Sequence, residues 1–304
     1  MNSTETHLIL GAGQVGAGLA ALLLSQGLRV LILRRSDRPV PAGVELMVGD
    51  VRDPAVAARA GEGVAVVYHC MNPSEYSGAA WEEQLPAMGE GAIAAARAGG
   101  AKLVCLDNLY GYGPTEGPRT EQSPAAATGR KARVRVRWEE RLRREPGLRF
   151  VLARAGDFFG PGCGEQSLFA PARLGAWTGP LLLADPSAPH AFSYVPDVVA
   201  GLAALGRDEG SEDIVHLPVH TLPPRELVAR IAQVRGASPR FIRLPGWLCR
   251  ALAPVVPLLS ELGETWYQWD RPFLVDDSRF RARFPGVGVS LDEAVRATSA
   301  GVTS

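Results

Sequence analysis

The six residues Gly11-Ala12-Gly13-Gln14-Val15-Gly16 fit G-x-G-x-x-G, a spacing whose chemistry is the cradling of a pyrophosphate. Gly11 permits the tight turn, Gly13 lets the backbone approach the phosphates, and Gly16 lets the following helix sit close to the preceding strand. The N-terminus of that helix then offers unpaired N–H groups and the positive end of a dipole. Gly11, Gly13, Gln14, Val15 and Gly16 are therefore the expected dinucleotide contacts. A second signal follows in Arg34-Arg35-Ser36. Sites for NAD place an acid at this point to hold both ribose hydroxyls, whereas a guanidinium at Arg34 can form paired bonds to the 2′-phosphate of NADP. That favours NADP(H). If Arg34 instead stacks on the adenine, NAD(H) is accommodated equally.

These residues need a strand before the loop, a helix after it and a second strand beyond. His7 to Leu10 reads as the first strand, Ala17 to Gln26 as the helix and Arg29 to Leu33 as the second strand. The alternation continues with strands over Val44 to Val48, Val64 to Tyr68, Lys102 to Leu106 and Leu148 to Ala153, and a long helix over Trp81 to Ala98. This predicts an α/β Rossmann fold, a doubly wound parallel sheet with a smaller C-terminal substrate lobe. The expected division is 1–156 for dinucleotide binding and 157–304 for substrate, the second part interleaved with the last sheet strands. Farther on, Phe192 to Leu205 reads as strand then helix, Ile214 to Leu217 as a strand, Pro224 to Gln233 as a helix and Phe241 to Leu244 as a strand. Gly156 to Gly164 reads as an irregular loop.

Composition narrows the partners. Lysines and arginines number 32 and aspartates and glutamates 32, so no global field favours nucleic acid or an anionic membrane. The basic run Arg130 to Arg144 carries Val134, Trp138 and Leu142 at helical spacing, which marks a solvated helix with one apolar stripe against the sheet or a partner subunit. The sequence is compatible with a homodimer. Cys70, Cys105, Cys163 and Cys249 are scattered, and His216 and His220 flank Pro218 in an extended stretch, so no metal site is expected. Met1 to Thr6 lacks the pattern of a signal peptide, and a cytoplasmic protein without stable membrane insertion is expected. Trp247 to Trp269 is largely apolar and interrupted by Pro254 and Pro257. Its part from Trp247 to Leu262 reads as a buried corner, with a surface helix touching a membrane-dissolved substrate as the alternative.

Six segments in order resemble the short-chain dehydrogenase/reductase superfamily in its extended branch, the NAD-dependent epimerase/dehydratase family. They are Gly11 to Gly16, Gly49-Asp50-Val51-Arg52-Asp53, Val67-Tyr68-His69, Gly111-Tyr112-Gly113, Arg154 with Gly160-Pro161-Gly162, and His190 to Val198. The resemblance implies that Asp50 and Val51 contact the adenine, and His69, at the end of the fourth strand, is expected to bond to backbone on the nicotinamide side as a structural residue. It also exposes a departure. Where the family carries Y-x-x-x-K, this sequence has Thr128-Gly129-Arg130-Lys131-Ala132, and Asn108 stands at the family's Ser/Thr position.

Carbonyl reduction needs a hydride on carbon and a proton or strong hydrogen bond on oxygen. With the family tyrosine missing, Tyr110 is the expected donor, Asn108 polarises the carbonyl, and the charge of Lys131 lowers the phenol pKa. Structural roles for Tyr110 and Asn108 in packing and turn capping stand equally open. The aromatics Phe158, Phe159, Trp177, Trp247, Trp266, Tyr267 and Trp269 are expected to be core for the most part and to line a pocket for the rest. The expected activity is an NAD(P)H-dependent reductase acting on a CH–OH/carbonyl pair, with a ketone or enone of a small apolar or aromatic metabolite, quinone- or quinolone-like, as substrate. The alternatives are a sugar-nucleotide epimerase or dehydratase and a nonenzymatic NAD(P)-binding regulator.

Overall fold

The computed structural model describes residues 5–164, 167–176, 178–210 and 213–302. In chain order the elements are β1 (Thr6–Leu10), α1 (Gly16–Ser25), β2 (Arg29–Arg34), β3 (Glu45–Val48), α2 (Pro54–Gly61), β4 (Val66–His69), α3 (Gly78–Gly99), β5 (Lys102–Asn108), α4 (Arg130–Arg143) and β6 (Phe150–Ala155). There follow β7 (Asp157–Phe159), α5 (Pro171–Gly175), β8 (Leu181–Leu183), β9 (His190–Tyr194), α6 (Val195–Arg207), β10 (Asp213–His216) and β11 (His220–Leu222). The chain closes with α7 (Pro224–Val234), β12 (Ile242–Leu244), α8 (Gly246–Leu252), α9 (Pro257–Gly263), α10 (Ser278–Arg283) and α11 (Leu291–Ala300).

The chain forms two compact units. Unit 1 comprises Met1–Asn108, Val134–Arg154 and Val199–Val215, and unit 2 comprises Leu109–Arg133, Ala155–Val198 and His216–Ser304.

Unit 1 is built on a seven-stranded sheet in the order β10-β6-β5-β4-β1-β2-β3. β3, β2, β1, β4 and β5 pair in parallel, with Leu8 opposite both Leu31 and Val67. The order is that of the Rossmann fold, and the central strands are apolar because they are covered on both faces. Small residues set the helix packing. A Cβ on Gly61 of α2 would lie 2.0 Å from the Ala95 carbonyl oxygen of α3, and one on Gly91 of α3 would lie 1.9 Å from that of Val51. α2 starts where Asp53 accepts from the N–H groups of Ala55 and Val56 ahead of Pro54.

The basic helix α4 carries its apolar stripe as expected, with Val134 and Leu142 buried and Trp138 lying over Gly89 and His69. Its cations face acids: Arg141 holds Glu90 and Glu145, Arg143 holds Glu139 and Asp213, and Arg144 holds Glu140.

Unit 2 contains a three-stranded sheet, β11-β9-β7, and a two-stranded one, β12-β8. The stretch expected to be an irregular loop therefore contains a strand. Asp157 to Phe159 pair with Phe192 to Tyr194, and Ser193 Oγ accepts from the Gly156 N–H at 2.9 Å. The core of this unit gathers Phe159, Phe169, Phe192, Trp266 and Trp269 around Leu182, Leu227 and Ile231. Phe159, Trp266 and Trp269 are thus packing residues, and their number is no argument for a lipophilic substrate. Trp177 lies outside the described residues. Trp247 to Leu262 is not a buried corner: Pro254 and Pro257 split it into α8 and α9, and Trp247, Val255 and Leu258 are exposed.

Candidate functional site

Because β1 to β4 run parallel, the loops that follow them gather at one edge of the sheet. They enclose a groove of about 220 Å³ lined by the Gly11 loop, by Arg34 and Arg35 after β2, by Asp50, Val51 and Arg52 after β3, and by Cys70, Met71 and Asn72 after β4.

The three glycines have separable geometries. Gly11 has φ +95°, and a Cβ there would stand 2.6 Å from Met71 Cγ. A Cβ on Gly16, the first residue of α1, would stand 2.0 Å from the Gly11 carbonyl oxygen, so helix and loop touch backbone to backbone. Gly13 is exposed, and a Cβ there would meet nothing within 4 Å. Space for the closely approaching phosphates lies on that side of the loop. Val15 is buried and Gln14 exposed.

Arg34 is half-buried and Arg35 exposed, and neither forms an ion pair among the described residues. Asp50 is differently placed. Arg52 binds it in a fork, Nη2 to Oδ2 at 2.6 Å and Nε to Oδ1 at 3.1 Å, and the Arg52 N–H adds a third bond. Those hydrogen bonds hold the Asp50 carboxyl below its ordinary range. Cys70 also lines the groove, but burial pushes its thiol up to about 12, which excludes a thiolate at neutral pH.

Beneath the β4 loop lies a charge cluster that no local sequence pattern foretells. Asp107, near the end of β5, is buried between Arg135 (Nη1 to Oδ1, 3.3 Å) and Arg154 (Nε to Oδ2, 3.2 Å). Arg154 also donates to Glu139 at 2.7 Å. Arg135 packs over the Trp81 ring and donates to Asn72 Oδ1 at 2.7 Å. With its oxygen so engaged, the Asn72 amide is oriented on the groove wall. His69 is buried against Trp138, and burial, reinforced by the Arg135 charge, lowers its pKa to about 4. It is a neutral interior residue.

The other expected catalytic residues divide at the unit boundary. Asn108 closes β5 in unit 1 and is half-buried. Tyr110 opens a 3₁₀ turn, Tyr110–Tyr112, in unit 2, and is also half-buried. Its turn is fixed by Leu109 and Tyr112, buried against Ala191 and Phe273, and by the Tyr267 hydroxyl, which donates to the Tyr110 carbonyl at 3.3 Å. Arg119, buried over the Phe273 ring, anchors the same loop through the Gly113 carbonyl at 2.9 Å.

Lys131 is fully buried, its Nζ 2.5 Å from Glu261 Oε2 and 3.7 Å from Glu264 Oε2. Two carboxylates therefore stand beside the ammonium whose charge was expected to act on the Tyr110 phenol.

Among the described residues, unit 2 also holds two histidines bonded through both ring nitrogens. His216 Nδ1 donates to the Asp276 carbonyl at 2.8 Å, so Nε2 accepts from the Tyr112 hydroxyl at 2.7 Å. His190 Nδ1 donates to the Gln268 carbonyl at 2.9 Å, while Nε2 lies within hydrogen-bond distance of Asp157 Oδ2, at 2.7 Å. The partners lie 33 to 104 positions apart, which is why the sequence did not pair them.

The sequence matches the model of the NAD dependent epimerase/dehydratase family over residues 7–216, more than two thirds of the chain. No curated protein matches it. Solved structures share its fold along almost the whole length at low identity. UDP-glucose 4-epimerase from Brucella ovis in complex with NAD has a TM-score of 0.77 at 19% identity, covering 98% of each chain. UDP-glucose 4-epimerase from Bifidobacterium longum in complex with NAD+ and UDP has 0.75 at 17%, covering 97% of each. The Bordetella bronchiseptica enzyme WbmG in complex with NAD has 0.73 at 22%, covering 99% of this chain and 94% of that one. With the glycine loop, the parallel sheet and the ordered motifs in agreement, the chain belongs to the NAD-dependent epimerase/dehydratase family.

Proposed function

We propose that this chain binds NADP(H) in preference to NAD(H) and exchanges hydride between the nicotinamide and an oxygen-bearing carbon of a small molecule. The observation that carries the reading is the groove of unit 1, where Arg34 and Arg35 stand without an ion pair beside the open face of Gly13. The one acid of this rim, Asp50, is already held by Arg52. A 2′-phosphate meets cations here, and a bare ribose finds no unengaged carboxylate. The relatives named above are complexes with NAD, so the preference for NADP(H) rests on this chain's own arginines.

The relatives support a sugar nucleotide as the first substrate class to try. A second reading, direct reduction of a ketone or enone, is favoured by Thr128 and Ala132 at the Y-x-x-x-K positions. Epimerisation needs hydride and proton to leave and return, whereas reduction needs each delivered once. In either case Tyr110, assisted by Asn108, is the proposed group at the substrate oxygen, with Lys131 retained as a structural cation.

Nicotinamide fluorescence titration tests the cofactor reading. NADPH is expected to bind more tightly than NADH, and failure to bind either overturns the proposal. UDP-hexoses with NAD+ or NADP+, and ketones and quinones with NADPH, then separate the substrate classes. Tyr110→Phe is expected to lower kcat by about a hundredfold to ten-thousandfold at unchanged cofactor affinity. An unchanged kcat would make Tyr110 a packing residue and leave water or the substrate as proton source.

A further inference from the structure

Unit 2 carries an arrangement that the dinucleotide reading does not use. From Leu227 to Ser260 the sequence contains Arg230, Arg235, Arg240, Arg243 and Arg250 and no aspartate or glutamate. Arg230 is paired with Glu226 and Asp292. Among the described residues the other arginines of this stretch form no ion pair, and of them Arg243 donates through Nε to the Ala184 carbonyl at 3.3 Å.

The same stretch exposes its apolar side chains. α8 and α9 pack on each other and turn Cys249, Leu252, Leu259 and Leu262 toward the core. Trp247, Val255 and Leu258 are left 66%, 75% and 55% exposed, and Phe241 and Ile242, at the start of β12, are exposed as well. Between α5, α7 and the segment leading to Arg240 lies a groove of about 510 Å³ whose lining includes Leu174, Val228 and Ile231 together with Arg235 and Arg240.

We propose that unit 2 docks on a membrane surface rich in anionic phospholipid, with Phe241, Ile242, Trp247, Val255 and Leu258 entering the interface and the unpaired arginines meeting the headgroups. Charge complementarity decides the occupant. Basic residues next to exposed tryptophan and aliphatic side chains suit an anionic interface. A second copy of this chain, docked face to face, would set arginine against arginine. The apolar residues are spread over two short helices and a strand end, which suits a fluid surface that needs no matching shape. No helix among the described residues is long and apolar enough to cross a membrane, so the attachment is peripheral. The proposal stands independently of the cofactor and substrate readings.

The test is co-sedimentation of the full chain with vesicles of phosphatidylcholine alone and of phosphatidylcholine with phosphatidylserine. Binding is expected to the anionic vesicles only, and to fall as salt is raised. Arg243→Gln and Arg250→Gln are each expected to weaken it by roughly fivefold. Trp247→Ser with Leu258→Ser is expected to weaken it further, with an unchanged melting temperature as the control for folding. No sedimentation with the anionic vesicles, or equal sedimentation of the arginine variants, overturns the proposal. So does a dimer by light scattering that Trp247→Ser converts to monomer, because the face would then be a protein contact.

Discussion

The arginines of α4 and those at the rim of the groove have the same chemistry and opposite surroundings. On and just beyond α4, Arg141, Arg143 and Arg144 find acids from α3, from the helix itself or from the strand beside it, and deeper in Asp107 is buried between Arg135 and Arg154. At the rim, Arg34 and Arg35 line the groove without an ion pair among the described residues, while the nearby Asp50 is held by Arg52. Abundance of charge therefore says little about ligand binding. A paired arginine is scaffold, and one left open toward a cavity retains its charge for a ligand.

The sharpest way to break this contrast is at its most committed point. Asp107→Ala leaves Arg135 buried without its carboxylate and removes one partner of Arg154, and is expected to lower unfolding free energy by about 3 to 5 kcal/mol, read from the urea midpoint. A smaller loss would mean that the interior is wetter than the packing indicates.

Next is pH. His69 is held neutral, its pKa lowered to about 4 by burial and by Arg135. A depressed histidine contributes stability that is present above its unfolded value near 6.5 and lost as pH falls toward about 4, a span worth about 3 kcal/mol. Urea midpoints measured across that range should fall, and His69→Gln should flatten the decline.

On the uncommitted side, Arg34→Asp should leave stability nearly unchanged and shift the ratio of NADPH to NADH affinity by roughly tenfold or more, since a charge-assisted contact is worth about 1.5 to 3 kcal/mol. Equal losses for both cofactors would assign Arg34 to stacking on the adenine. The smallest effect is expected at Arg144→Ala, where the exposed pair with Glu140 on α4 should change stability by only about 0.3 to 0.5 kcal/mol.

The fold was legible because it depends on local periodicity. β1, α1 and β2 follow from apolar runs punctuated by Gly11, Gly16 and Gly27, and the glycine spacing carries its own geometry. β7, β8 and β11 were not foreseen, since three residues give too short a period to read and their pairing comes from distant strands. The site was half legible. The phosphate loop is contiguous in sequence, but Lys131 is captured by Glu261 and Glu264, and Arg135 reaches Asn72, across separations that no local pattern records. The exposed face around Trp247 was misread because an apolar composition does not say on which side of a short helix the residues lie.

The order in which the sheet is completed has a consequence for the nascent chain. β6 is translated by residue 155, yet its outer neighbour β10 begins only at Asp213. At ribosomal rates of about 5 to 20 residues per second, the edge of β6 waits several seconds for its partner. An unpaired edge is a template for association with other chains. A fragment ending at residue 156 would keep that edge permanently open, so expression of the first half alone should yield an aggregation-prone product even though every residue of the phosphate loop is present.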